Sequence, residues 1–256
     1  MNGGFLLKNQ IKNYTSISAS NTATNYDIVS VTNDVPGDCF LSSGNSVIID
    51  IEFPESITFS GVSIVNHNLS QASTATISLS NTSFLEPTEI FTIHENWYSR
   101  LIEKKDDSGT LKEIFASNLW KNFPVKSAKY IRFEISSTDI IRIGTIFIPT
   151  HVFQFPRNYL WDFTRTFRVN RDIDNVNGQF YIDQKSEHEG FQITFPKIDH
   201  IYYEDFKRIF RPHPKVFIPF FDQPECYHGQ ILDELKAKVT INFKKSFNID
   251  FWENAF

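Results

Sequence analysis

The side chains able to do chemistry are scattered, and their spacing matches no catalytic or metal-binding pattern. Seven histidines stand at His67, His94, His151, His188, His200, His213 and His228. None forms an H-x-x-x-H or H-E-x-x-H pair, so a helix-borne zinc site has no ligand set. No G-x-S-x-G elbow and no P-loop occurs. Asp172 and Asp174 could serve as a glycosidase pair, which needs two carboxyl groups about 5–10 Å apart. They lie in RDIDNVNG, however, which reads as a polar loop beside a hairpin, and His188 between Glu187 and Glu189 reads as a hairpin tip. Asp34 and Asp38, in the Gly/Asn/Asp/Ser-rich stretch Thr32 to Ser46, offer oxygens suited to a hard cation such as calcium. They lack dense D-x-D-x-D spacing, and a solvated turn is the simpler reading. The expectation is a protein with no catalytic residue, no metal and no cofactor, acting by binding or assembly.

The elements that must position any site are strands. Of 256 residues 41% are hydrophobic and 26 are phenylalanine, a composition suited to pleated, half-buried surfaces. Net charge is −5 without a long basic run, which argues against nucleic acid as a partner. Cys39 and Cys226 are too few and too far apart for a disulfide framework. No apolar run approaches the ~20 residues of a membrane helix, nor does the N-terminus read as a secretory signal, so no membrane partner is expected.

Taken in order, residues 1–30 read as a polar arm or loosely held edge strand. Val47 to Phe53 alternates apolar and acidic residues and is stopped by Pro54. Ile57 to Val65 follows, with Gly61 at a probable bulge. Thr74 to Ser80, Ile90 to His94 and Leu111 to Phe115 continue a series of short strands. Ile131, Phe133 and Ile135 then alternate with Arg132 and Glu134, and after a turn at Ser136–Asp139 the run Ile141–Ile148 carries Gly144 where a bulge or a close backbone contact would fit. Beyond Thr150 come an aromatic connector, a hairpin and the strand Phe191–Phe195. The stripe Tyr202, Phe206, Ile209 and Phe210 predicts one helix over Asp199 to Phe210. Lys215 to Phe221, with Pro219, reads as an edge strand, Ala237 to Phe243 as a last strand, and FNIDFWENAF as an exposed or docked tail. The predicted fold is mainly β: a β-sandwich over residues 1–150, then a small α+β domain with one main helix over 151–256.

IIDIEFPESITFSGVSIV with TATISLS, closed by FPVKSAKYIRFEIS and IIRIGTIFI, resembles the jelly roll of discoidin-like, galactose-binding-like domains. The bracketing cysteines common in secreted members are missing. The combination of VNHNLS, AKYIRFEI and IRIGTIFI with the aromatic connector is similar to distal tail-tip structural proteins of tailed bacteriophages. Pro149 departs from the glycine expected there. That resemblance implies a virion subunit of the tail tip or baseplate, made in the host cytoplasm. It would form a homo-oligomeric ring and contact other tail proteins, with the jelly roll offered to fibres or host-surface glycan. The alternative is a stand-alone carbohydrate-binding module.

These readings name two sets of residues. For glycan, Trp97, Tyr98 and Trp120 could stack on sugar rings, with Asn66, His67 and Asn68 as polar neighbours. The alternative for the tryptophans is a place in the core or an interface. For the ring interface, Phe217, Phe220, Phe221, Phe251, Trp252 and Phe256 are more large apolar side chains than a small domain readily buries.

Overall fold

A computed structural model describes residues 3–70, 72–94, 104–105, 111–112, 117–155, 163–176, 179–198, 214–219, 226–231, 238–239 and 245–253. The architecture is mainly β, and its strand pairs are antiparallel. The chain divides into two compact units: Lys8–Val152 with Gln223–Cys226, and Met1–Leu7 with Phe153–Asp222 and Tyr227–Phe256.

The first unit is a β-sandwich organised by two long strands, Ser46–Val65 and Leu119–Ser136. They pair with Val47 opposite Ile135, Ile49 opposite Phe133 and Ile51 opposite Ile131, and all six side chains are buried. Pro54 does not end a strand. The chain runs on to Val65, and the ladder instead shifts register between Glu52 and Ile57 and again between Phe59 and Gly61. Such bulges bend and twist a long strand without breaking it. Thr74–Ser80 pairs along Leu119–Ser136, Glu89–His94 pairs along Thr74–Ser80, and Ser16–Ala19 pairs with the opposite edge of Ser46–Val65. Thr145–Phe147 joins the far end of Ser46–Val65. The core is completed by Ile11, Ile28 and Val31 from two short 3-10 turns and by Phe40, Ile141 and Ile143 around the small Phe40–Leu41/Arg142–Ile143 pair.

Both glycines singled out in the sequence sit under close contacts. A Cβ on Gly61 would stand 2.2 Å from the Trp120 ring and 2.5 Å from the Lys121 carbonyl. One on Gly144 would meet the Pro36 carbonyl at 2.4 Å.

The second unit is built on an antiparallel sheet in which the N-terminal strand Gly4–Asn9 pairs with Lys215–Ile218. The N-terminus is therefore no loose arm. Phe5 pairs with Phe217, and Phe5 and Leu6 have no exposed surface. Lys215–Ile218 is correspondingly an interior strand, flanked on its other side by Tyr227–Ile231. Pro219 lies just past its end, where no ladder hydrogen bond is lost.

The stretch RDIDNV, read as loop, is also strand. Phe163–Val176 and Gln179–Ile198 form one long hairpin pairing from Phe163 opposite Ile193 to Val176 opposite Gln179. The closing residues FNIDFWE belong to the strand Lys245–Glu253, which pairs with Gln179–Ile198 and Tyr227–Ile231. Phe5, Phe155, Phe191, Phe217, Tyr227 and Phe251 form the aromatic core of this unit, with neighbouring ring centres such as Phe5–Phe217 and Phe191–Phe217 5.2 Å apart. The predicted helix Asp199 to Phe210 lies outside the described residues, as do Phe220 and Phe221. What is described of this unit is sheet alone, not the expected α+β arrangement.

Two outcomes are expected from this packing. Gly61→Val should cost about 2 kcal/mol or more in a denaturant titration, because Trp120 and a backbone carbonyl must both move. Lys215 is 3% exposed and its burial lowers its pKa to about 8. The unfolded chain then holds the proton up to about pH 10 while the folded chain loses it near 8. Stability should therefore rise with pH across that interval. Chemical denaturation at pH 7.5, 9 and 10 checks the sign, and the slope should flatten in Lys215→Met.

Candidate functional site

Alternation along the paired strands leaves one face of the sandwich sheet turned away from the core. At its centre the register brings Ser18, Asp50, Arg132, Ser78 and Ile90 into one row across five strands. The next row carries Ser16, Glu52, Tyr130 and Ser80, and in these two rows Ser78 and Ser80 are buried. Asp50 and Arg132 make a two-pronged ion pair, with Nε donating to Oδ1 at 2.7 Å and Nη2 to Oδ2 at 2.8 Å. Both side chains are 20% exposed, enough to shield the pair partly from water while leaving it reachable. The hydrogen bond to Asp50 is the main reason that the Arg132 pKa is raised, with burial opposing it.

An aromatic pair borders this ion pair. The half-buried rings of Phe84 and Tyr130 meet edge to face at 5.1 Å, and the Arg132 guanidinium stands 5.7 Å from the centre of Phe84. Lys129 lies 5.4 Å from the Tyr130 ring centre and 3.4 Å from the Glu52 carboxylate.

Phe84 comes from the loop NTSFLEPT, which hydrogen bonds hold at both ends. Ser80 Oγ accepts from the Thr82 and Ser83 N–H groups at 3.1 and 3.3 Å, a turn typical of serine. The Asn81 carboxamide accepts from Lys129 N–H at 3.1 Å and donates to the Ser127 carbonyl at 3.2 Å, tying the loop to the neighbouring strand. Thr88 closes the loop by donating from both N–H and hydroxyl to the Leu79 carbonyl, at 2.8 and 2.9 Å. Leu85, next to Phe84, is 84% exposed. Half-buried rings beside a polarised donor–acceptor pair can bind a ligand that has both apolar faces and hydroxyl groups.

The residues named from sequence fall elsewhere. Trp120 is 2% exposed, with its ring over Gly61, and belongs to the interior. Asn66 and His67 are buried, and Asn68 is exposed but engaged in structure. Asn66 takes a left-handed conformation with φ 53°, receives Asn118 Oδ1 on its N–H at 2.9 Å, and donates to the Pro36 carbonyl at 2.7 Å. His67 Nδ1 accepts from the Leu69 N–H at 3.1 Å. Asn68 donates to the Ile140 carbonyl at 2.7 Å and accepts from the Arg142 N–H at 2.8 Å. The three fasten loops together.

Trp97, Tyr98 and Phe256 lie outside the described residues. Trp252 stands in the strand Lys245–Glu253, opposite Gly190 and Gln230. Phe217 and Phe251 have no exposed surface, so as placed they are core of their own unit and not available to a neighbouring copy. They are inside because the strands carrying them are interior, a position the sequence reading had given to an edge and a tail.

The Thr32–Ser46 carboxylates have internal partners. Asp34 takes Lys12 at 2.6 Å, and Asp38 accepts from the Asn33 amide at 2.8 Å. Among the described residues no group of three His, Cys, Asp or Glu side chains could hold a metal ion. Cys39 and Cys226 are free thiols. Among the described residues no helix is long and apolar enough to cross a membrane.

No family model matches the sequence, and no curated protein matches it. Solved structures similar to this chain include a chitosan-binding module of a chitosanase/glucanase from Paenibacillus sp. IK-5. The identity is 18% and the TM-score 0.41, over 56% of this chain and 98% of that one. A carbohydrate-binding module, CBM32, of Clostridium perfringens is 15% identical with a TM-score of 0.38, covering 55% of this chain and 98% of its own. A fucose-binding module of Streptococcus pneumoniae is 12% identical with a TM-score of 0.40, over 56% of this chain and 96% of that chain. At such identities and scores, what the chain folds into rests on the strand order given above.

The face and the interior should separate in two measurements. A double-mutant cycle on Asp50→Ala and Arg132→Ala should return a coupling of about 1–2 kcal/mol, above the usual surface pair because the geometry is two-pronged and partly shielded. Trp120→Ala should cost about 3–5 kcal/mol of unfolding free energy, the range for a buried tryptophan.

Proposed function

We propose that the chain acts by binding glycan through the outer face of its sandwich sheet, and that it does so without catalysis. The observation that carries this reading is the half-buried Phe84–Tyr130 pair set against the Asp50–Arg132 ion pair. Sugar rings present apolar C–H faces to aromatic rings and hydroxyls to paired donors and acceptors, and this face supplies both within one row spacing of a sheet. The carboxylate and guanidinium are already oriented by each other, so a ligand meets them with little rotamer entropy left to lose.

This is the alternative function drawn from the sequence, moved from the loops Asn66–Asn68 and Trp97–Trp120 to the sheet. The ring-forming phage-tail subunit, with its virion location and tail-protein partners, rests on sequence resemblance alone. Two of its six interface aromatics, Phe217 and Phe251, are enclosed in their own unit.

The test is binding of the purified chain to a broad panel of neutral and anionic glycans, followed by titration of the best ligand. Tyr130→Ala and Phe84→Ala should each weaken binding by about 2 kcal/mol, as exposed aromatic anchors do. Thermal melting should show the fold retained. A chain that binds nothing on the panel, or variants that bind as well as the parent, would overturn the proposal.

A further inference from the structure

The register shift in the long strand Ser46–Val65 bears on the Phe84 loop. Glu52 pairs with Tyr130 and Ile57 with Ala128, so the four residues Phe53–Ser56 stand against Lys129 alone. An unbroken ladder from Glu52 would set Ser56 opposite Lys126. The shifted ladder, read back from Ile57, brings Ser56 level with Lys129, three residues and about 10 Å away along the partner strand. Phe53 has no exposed surface, while Pro54, Glu55 and Ser56 are exposed. Bulges re-aim side chains. Here the side chain re-aimed is Ser56, whose hydroxyl donates to Asn81 Oδ1 at 2.9 Å.

Asn81 is the first residue past the strand Thr74–Ser80, and its side chain continues that strand's ladder. The carboxamide accepts from the Lys129 N–H at 3.1 Å and donates to the Ser127 carbonyl at 3.2 Å, the groups that one more paired residue would bond. Its Oδ1 therefore receives a donor from each of the two long strands. Phe84 lies three residues on, after Thr82 and Ser83, whose N–H groups Ser80 Oγ holds. Leu85 is 84% exposed, and Glu86 and Pro87 are exposed as well. Past Phe84 the tip thus adds little packing of its own, and the hydrogen bonds at its root carry its orientation.

We infer that Ser56 and Asn81 are positioning residues of the glycan face. They fix the Phe84 ring against Tyr130 and Arg132 before a ligand arrives, and so set affinity without touching the ligand. This inference rests on the glycan-binding reading and deepens it. A ring already held in place has little freedom left to lose, whereas an unclamped loop tip must be ordered at the ligand's expense.

The experiment uses the full chain and the best glycan of the panel. Asn81→Ala should weaken binding about tenfold and Ser56→Ala about twofold, the range for ordering loop side chains on association. The double variant should bind no more weakly than Asn81→Ala, because the serine acts only through the carboxamide. Asn81→Asp keeps the acceptor for both donors and should recover most of the loss. Melting temperatures should stay near the parent's throughout, as a purely structural role would not allow. Without ligand, NMR of phenylalanine-labelled protein reads the ring itself: the Tyr130 ring current should displace the Phe84 ring signals in the parent, and the displacement should shrink in Asn81→Ala. If Asn81→Ala keeps the parent's ring signals, or binds the glycan as tightly as the parent, the inference fails while glycan binding stands. If the parent binds no glycan, both fail together.

Discussion

The register of one antiparallel ladder decides most of what this protein presents to solvent. Ser46–Val65 and Leu119–Ser136 face each other with Ile49 against Phe133 and Asp50 against Arg132. Side chains alternate with a period of two, so a slip of one residue would expose the isoleucines and bury the charges. Burial of the inward set is worth roughly 1.5–3 kcal/mol per large side chain, far more than any surface pair returns. The core therefore fixes the register, and the register delivers Arg132 to Asp50. The ion pair is a consequence of the ladder more than a cause of it.

Phe84 reaches this pair by a different route. Its loop owes nothing to hydrophobic patterning: Ser80, Asn81 and Thr88 satisfy backbone groups at both ends and bring the ring against Tyr130 and Arg132. Side-chain capping of this kind makes a short surface loop into a rigid element, which is what a binding platform requires. The same chemistry works at the loops around Asn66, where carboxamides tie backbone to backbone. Polar residues near an aromatic can thus serve ligand or scaffold, and only their partners tell which.

The second unit depends on closure by the N-terminal strand. Gly4–Asn9 completes the sheet beside Lys215–Ile218, and Phe5 joins a cluster of rings drawn from five other stretches of chain. Without that strand, Lys215–Ile218 would be an open apolar edge of the kind that pairs with other chains. The abundance of phenylalanine that looks like surplus surface in the sequence is, for Phe5, Phe155, Phe191, Phe217 and Phe251, the core itself.

Local pattern was sufficient where local physics was sufficient. Alternation identified inward and outward faces over Val47–Phe53 and Ile131–Ile135 and the buried Ala75, Ile77 and Leu79 of Thr74–Ser80, while Gly61 signalled a bulge and Gly144 a bulge or close backbone contact. Arg132 and Asp50 were legible as outward-facing residues. Their meeting was not, because they are 82 positions apart and only strand pairing brings them together. Pro54 was read as a stop, yet an outward proline beside a register shift is tolerated. In the second unit, RDIDNVNG holds the Asn-Gly hairpin signal at 177–178, and FNIDFWE alternates like any strand, so both were available to the sequence reader. What no local reading could supply is which strand lies beside which. Whether Lys215–Ile218 is an edge or an interior strand is settled by the strand Gly4–Asn9 at the opposite end of the chain, through hydrogen bonds and ring packing that have no counterpart in sequence proximity.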